Sequence, residues 1–199
     1  MKKHFLKRIK KGFTLIEMLI VIVIIGILAA ALIPRLSSAR GRANDTARKA
    51  DLQQTATAIV AYQIDRGSFP SCPSNGGCPL SAVQTGLVAA GMSSIPTDPS
   101  ASRHFLGIGS LDIAGGQFGY TPIKKGGIDG NGFVLMAATE TEGGSNRVVG
   151  LPDIDETVNY SDIHLCTSFT QHAGSPTNDN NGNCKYDPTQ DQLRYIYMY

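Results

Sequence analysis

The sequence lacks the short motifs that mark common enzyme classes. No GxSxG, HExxH or phosphate-binding loop occurs in its 199 residues, and no internal repeat is evident. The scattered Ser, His and Asp residues do not make a catalytic triad without a defined geometry. We therefore expect no enzymatic activity and no catalytic residues.

The first 33 residues contain one stretch without any charge and one stretch without acidic residues. Residues 18–33 carry no charge, and Glu17 is the only charged residue among the 21 residues of 13–33. At about 1.5 Å per residue, that length crosses a bilayer core of about 30 Å. Residues 1–12 contain six basic residues and no acid, which favours a cytoplasmic N-terminus. The pattern predicts a basic leader over 1–12 and a membrane-spanning helix over 13–34.

Gly12 stands before the apolar stretch and not after it. A secretory signal peptide has its apolar region ahead of the cleavage site, whereas a cut after Gly12 would leave this region on the mature chain. A carboxylate inside such a helix costs about 2.5 to 3.5 kcal/mol, so Glu17 needs a partner or a purpose. The alternative is that Glu17 snorkels into the lipid headgroups.

Residues 12–34, GFTLIEMLIVIVIIGILAAALIP, resemble the N-terminus of type IV prepilins and of type II secretion pseudopilins. The resemblance implies cleavage by a prepilin peptidase between Gly12 and Phe13 and N-methylation of Phe13. It implies assembly into a helical filament with copies of itself and other pilins, on an inner-membrane assembly platform. Glu17 would pair with the Phe13 amine of a neighbouring subunit and set the register, and Pro34 would belong to the same assembly helix.

The predicted elements come in the order helix, then sheet. Alanines and apolar residues at helical spacing predict an amphipathic continuation over 35–66 that ends at Gly67, although Pro34 would kink or locally open the helix. A short helix is predicted within 80–91, an antiparallel meander at 117–123, 133–139 and 147–151, and a last strand at 193–199. The fold class is therefore α+β and similar to type IV pilins. A long helical spine packs on a small antiparallel sheet, and 67–199 form an extracytoplasmic globular domain.

Four cysteines follow the apolar stretch, where an extracytoplasmic location permits disulfides. Three pairings are possible in principle. The choice that is local in sequence joins Cys72 to Cys78 and Cys166 to Cys184.

Metal binding has two weak candidates and no cofactor is expected. Asp179, Asn181 and Asp187 lie in an Asn/Asp/Gly-rich segment that partly resembles a calcium loop, although a surface turn explains the same composition. His164 and His172 with Cys166 and Cys184 are a possible zinc set, but no CxxC or HxxxH pair is present.

The leader accounts for the basic balance of the whole chain. Without its six basic residues, 12 basic residues remain against 16 acidic ones, so there is no general argument for nucleic-acid binding. One basic cluster remains, and we expect it to meet lipid phosphates or acids such as Asp45 and Asp51 on neighbouring helices. Its members are Arg35, Arg40, Arg42, Arg48 and Lys49.

These expectations combine into one function with two alternatives. The chain is predicted to be a structural subunit of a type IV pilus or pilus-like filament. It would be held in the cytoplasmic (inner) membrane as a single-pass precursor and then assembled into a cell-surface or periplasmic filament. The alternatives are a type II secretion pseudopilin and a membrane-tethered adhesin or receptor module that does not polymerise.

Overall fold

The computed structural model describes residues 12–73, 77–100, 105–106, 112–148, 158–163, 165–172, 177–178, 182–186 and 192–199. The predicted leader thus lies outside the described residues, except for Gly12. Contacts within the chain form two compact units, one up to Ala39 and the other from Arg40 to Tyr199. The second unit contains every described strand.

Helix α1 runs Leu15–Arg66. It ends as predicted at Gly67, whose φ of +78° is in the left-handed region and whose N–H donates to the Gln63 carbonyl at 2.7 Å. Pro34 lies inside the helix, which is continuous on both sides of it. The predicted local opening at Pro34 is therefore wrong, because a proline removes one donor from the helical ladder and the rest of the turn can remain.

The second unit buries one stripe of α1 against a sheet. Leu52, Ala56 and Ile59 from this stripe share the main core with Phe118 and with residues of the sheet, which are Tyr120, Phe133, Leu135 and Ala137. Burial of this apolar surface stabilises the unit at about 25 cal/mol per Å². The predicted α+β architecture is confirmed.

The described strands are β1 (Cys78–Pro79), β2 (Phe105–Leu106), β3 (Asp112–Ile113), β4 (Gly119–Lys125), β5 (Ile128–Ala138), β6 (Arg147–Val148), β7 (Ser168–Gln171), β8 (Thr177–Asn178), β9 (Asn183–Tyr186) and β10 (Leu193–Met198). The main sheet is antiparallel and has the order β1-β4-β5-β10-β6. A short turn of 3-10 helix at Leu80–Val83 leads into helix α2 at Gln84–Ala89, where a short helix was predicted.

The predicted meander is correct for the β4–β5 hairpin and wrong after it. Strand β10 pairs with β5 from Arg194 opposite Ala138 to Met198 opposite Val134, and β6 pairs with β10 instead of β5. The chain that follows β5 bends towards α1, because the backbone N–H of Glu140 donates to Asp45. That bend leaves the edge of β5 open for β10.

The second disulfide braces a small sheet that the sequence did not predict. Strand β9 pairs in parallel with β7 and antiparallel with β8, and Cys166 is bonded to Cys184 of β9. Val148 and Tyr186 bury these two sulfurs in a small core of their own. The other disulfide joins Cys72 to Cys78, so both bonds follow the pairing that is local in sequence.

We expect the two disulfides to contribute unequally to stability. The Cys166–Cys184 bond closes a separation of 18 residues and the Cys72–Cys78 bond one of 6. In the chain-entropy model these are worth about 3 and about 2 kcal/mol respectively. Thermal unfolding of the detergent-solubilised Cys166→Ser/Cys184→Ser variant should therefore begin at a lower temperature than that of Cys72→Ser/Cys78→Ser. An equal loss in both variants would contradict this ranking.

Candidate functional site

The start of α1 is fixed by a reciprocal pair of side chains. The backbone N–H and the hydroxyl of Thr14 donate to the Glu17 carboxylate at 2.8 and 2.7 Å, and the Glu17 N–H donates to the Thr14 hydroxyl at 3.3 Å. This is a capping box, which satisfies backbone donors that the first turn of a helix leaves unpaired. Gly12, Phe13 and Thr14 precede the helix in non-helical conformation. The predicted cleavage site therefore lies just ahead of the first turn.

Residues 13–36 form an apolar surface that no other residue described by the structure covers. From Phe13 to Leu36 every residue is exposed, including sixteen large apolar side chains such as Leu15, which is 83% exposed. A soluble monomer rarely leaves such a large apolar surface uncovered. By length and composition, α1 is also the one helix among the described residues that could cross a membrane.

A buried ionic network lies on the inner side of α1 in the second unit. Arg48 is fully buried and donates to Asp98 through Nε and Nη2, both at 2.8 Å. The same guanidinium donates to Asp45 at 2.7 Å and to Glu140 at 2.9 Å. Three carboxylates from three chain segments thus share one arginine.

Glu140 is the most accessible member of this network. Burial alone raises the pKa of its carboxyl, but hydrogen bonds from Ser100, Asn44 and Arg48 and the positive charge of Arg48 outweigh burial. The net effect lowers the pKa of Glu140 from 4.5 to about 2. The carboxylate is therefore ionised at any physiological pH.

Asp45 holds the segment after β5 against α1. Its carboxylate accepts the backbone N–H groups of Glu140 and Thr141, each at 2.9 Å, and the Thr141 hydroxyl at 2.6 Å. The next turn brings Gly144 so close to Asp45 that a Cβ there would overlap the carboxylate. Gly143, one residue earlier, has nothing near the position of a Cβ.

Replacing Gly144 by Ala should destabilise the chain, because the new methyl group displaces a carboxylate whose oxygens are all engaged. We expect a loss of about 1 to 3 kcal/mol, the usual cost of overpacking a well-packed site. Gly143→Ala is the matched control and should change stability by less than about 0.5 kcal/mol. Thermal unfolding of the two solubilised variants measures both, and equal melting temperatures would contradict the crowding at Gly144.

The predicted basic cluster is only partly a surface feature. Arg48 does not meet lipid or a neighbouring helix as expected, because it is buried and engaged by Asp45, Asp98 and Glu140 of its own chain. Arg40 and Arg42 are exposed, and Lys49 is half-buried. Sequence reasoning missed Asp98 and Glu140. One signal in the sequence could have indicated a buried ionic network. Asp45 and Arg48 are oppositely charged and occupy positions at the spacing of the buried stripe.

The structure describes only some of the candidate metal-binding residues. The calcium candidates Asp179, Asn181 and Asp187 lie outside the described residues, as does His164 of the possible zinc set. Cys166 and Cys184 are bonded to each other, so they do not supply the thiolates that a zinc site requires. The residues that the structure does describe contain no cluster of three or more metal-binding side chains.

The comparisons with known proteins agree with these observations. The family model described as the prokaryotic N-terminal methylation motif matches residues 7–33. The type IV wide pilus major component PilA4 of Thermus thermophilus is 41% identical over 111 residues, which are 56% of this chain and 76% of that protein.

Other relatives carry the name type II secretion system core protein G. The one from Pseudomonas aeruginosa is 42% identical over 65 residues, covering 33% of this chain and 46% of that protein. The one from Aeromonas hydrophila is 28% identical over 134 residues, covering 62% and 87%. No solved structure matches the chain significantly. The chain belongs to the family of type IV pilins and type II secretion pseudopilins.

Proposed function

We propose that this chain is a structural subunit of a type IV pilus or pilus-like filament, with no catalytic role. The observation that carries the proposal is the apolar surface of residues 13–36, which is exposed along its whole length and is not covered by any other described residue. Lipid covers such a surface before assembly, and copies of the same helix cover it afterwards. The proposal therefore assigns one surface to two successive environments.

Processing creates the subunit from a precursor in the cytoplasmic membrane. A prepilin peptidase cuts between Gly12 and Phe13, and the new Phe13 amine is methylated. The capping box supports this step because Thr14 and Glu17 start the helix at Leu15 and leave the scissile bond outside it. The assembly platform in the inner membrane then moves the subunit into a filament at the cell surface or in the periplasm.

Assembly depends on the charge of Glu17. In the precursor its carboxylate accepts two hydrogen bonds from Thr14. In the filament the positively charged Phe13 amine of a neighbouring copy supplies the counter-charge, which ties one copy to the next at a fixed displacement. A buried ion pair of this kind specifies register. Nucleic acid is not among the proposed partners, since Arg48 of the basic cluster is engaged inside the chain.

A type II secretion pseudopilin is the second candidate, and the relatives named core protein G favour it. Both functions use the same processing and the same helix. They differ in the filament, which is long and external for a pilus and short and periplasmic for a pseudopilus. Loss of a secreted protein from the medium of a deletion strain, with no external fibres in the parent, would select the pseudopilin.

The proposed function is tested on material sheared from the surface of cells that produce the chain. We expect fibres that bind an antibody to this protein, and N-terminal sequencing of their subunit should begin at methylated Phe13. A mature chain that starts elsewhere, or lacks residues 13–34, would exclude the proposed processing. A membrane pool that never polymerises would instead indicate a tethered adhesin or receptor.

A further inference from the structure

The part of α1 in the second unit has an outer side as regular as its buried side. Buried positions recur with a spacing of four and then three residues, at Gly41, Asp45, Arg48, Leu52, Thr55 and Ile59. A second set of positions has the same spacing but is shifted by two residues, which corresponds to about 200° around the helix. The residues of this second set are uncharged and are exposed or half-buried. These are Ala43, Ala47, Ala50, Gln54, Thr57 and Ala61. The outer side thus has the periodicity of a helix-packing surface.

Asp51 lies on one flank of this outer side, and none of the described basic residues is paired with it. It is half-buried, and no residue that the structure describes forms a hydrogen bond or an ion pair with its carboxylate. Arg48, one turn earlier, is fully engaged by other carboxylates, and Lys49 is two positions away on the far flank. Burial and the nearby charge of Asp98 raise the pKa of Asp51. A cation from outside the chain would offset both the cost of burying the Asp51 carboxylate and its repulsion from Asp98.

The opposite flank carries a basic notch. It is a cavity of about 200 Å³ lined by Arg42, Thr46 and Lys49 of α1 and by the turn at residues 141–144. The Lys49 ammonium is held at the rim, 3.3 Å from the Gly143 carbonyl and 5.0 Å from the centre of the Tyr195 ring. Asp45 also borders the cavity, and its carboxylate is already engaged by Arg48 and by the backbone N–H groups of Glu140 and Thr141. Arg42 and Lys49 are thus the two cationic side chains that an incoming carboxylate would meet in the notch.

We propose that the Asp51 carboxylate of one copy enters the basic notch of the next copy, beside Arg42 and Lys49. The contact joins two different flanks of the same helix, so it is a head-to-tail contact that repeats along a filament and does not close a dimer. The uncharged outer positions let the two helices approach. This inference rests on the proposed filament function and identifies a second copy of the chain as the partner of the notch.

The contact between Asp51 and the notch requires one copy to be displaced along the helix relative to the next. This displacement agrees with the one that the Glu17–Phe13 pair requires at the start of α1. Asp51 is two residues beyond Lys49 and nine beyond Arg42, so the next copy is displaced by between about two and nine residues. A Glu17 carboxylate that meets the Phe13 amine of the next copy requires about four residues, in the same direction. The two contacts therefore call for displacements of compatible size and the same direction, counted in residues.

Cross-linking of the full chain in filament-producing cells tests the contact directly. We expect Thr46→Cys combined with Asp51→Cys to give a ladder of disulfide-linked multimers after mild oxidation of sheared filaments. Each single variant should remain monomeric, because the described native cysteines are all paired. Thr46→Cys with Asp65→Cys is the matched control, since Asp65 is an acid of the same helix that lies outside the proposed contact. Filaments of the Thr46/Asp51 variant that yield no ladder would overturn the inference.

Charge reversal tests the same pair by function. We expect Asp51→Lys and Lys49→Asp each to lower filament yield about tenfold at equal levels of processed chain, because like charges then face each other across the contact. The double reversal should restore the yield to within about twofold, and Asp65→Lys should leave it unchanged.

Normal filaments from Asp51→Lys would overturn this contact while leaving the proposed function intact. A loss with Lys49→Asp that Asp51→Lys does not repair would assign the notch to lipid phosphate instead. Absence of filaments from the unmodified chain would refute the proposed function itself.

Discussion

A chain carrying Glu17→Gln is expected to be cleaved normally after Gly12 and to yield at least about 100-fold less filament than the unmodified chain. Glutamine has almost the same shape as glutamate and also serves at the third position of a capping box. The change therefore removes the charge and keeps the helix start. Removing one partner of a buried ion pair costs about 3 to 5 kcal/mol, which corresponds to a factor of at least about 100 per contact.

Glu17→Ala and Thr14→Val separate the charge of Glu17 from its role in capping. Glu17→Ala removes both the charge and the acceptor of the two Thr14 hydrogen bonds. Thr14→Val removes the hydroxyl of the cap and leaves the charge. If the charge sets the register, both glutamate variants lose filaments, whereas Thr14→Val loses much less, since a helix cap is worth about 1 kcal/mol.

The measurement compares sheared filaments with the membrane pool by immunoblot. Gly12→Val should block cleavage and so marks the size of the uncut precursor. Equal amounts of processed chain in every other variant show that membrane insertion and cleavage are intact. Filaments at the normal level from Glu17→Gln would show that the carboxylate acts as a cap alone.

The start of the chain could be predicted because its signals are local in sequence. The glycine, the lone carboxylate and the apolar run lie within about two dozen residues, and each has a direct physical meaning. Even there one contact was missed. Thr14 stands three residues before Glu17 at the head of an apolar run, which is the spacing of a capping box, and the structure shows that box formed.

The ionic network could not be predicted, because its partners are distant in sequence. Arg48 meets Asp98 across 50 residues and Glu140 across 92. No local pattern selects these acids from the 16 in the chain. The same dependence on distant residues explains why the strand order was predicted incorrectly. A contact between Asp45 and Glu140, 95 residues apart, pulls the chain away from β5 and lets β10 pair there.

Replacing Arg48 by Met should destabilise the second unit by about 3 to 5 kcal/mol at neutral pH. Methionine fills much of the volume but supplies no charge and no donors, so three carboxylates are left facing one another in a buried place. For a unit of this size the melting temperature should fall by about 10 °C or more. Arg40→Met is the matched control at an exposed position of the same helix and should shift stability by less than about 0.5 kcal/mol.

The pH dependence distinguishes a lost ion pair from a simple packing defect. In the unmodified chain the pKa of Glu140 falls from 4.5 to about 2 on folding, so the stability it contributes is present above pH 4.5 and is lost as the pH falls towards 2. In Arg48→Met the unpaired carboxylates instead favour the protonated form, and acid relieves their repulsion. The difference in unfolding free energy between the two chains should therefore shrink as the pH falls from 7 to 3. Denaturant unfolding of the solubilised chains at several pH values measures this difference, and a gap that stays constant over that range would rule out the ionic origin of the loss.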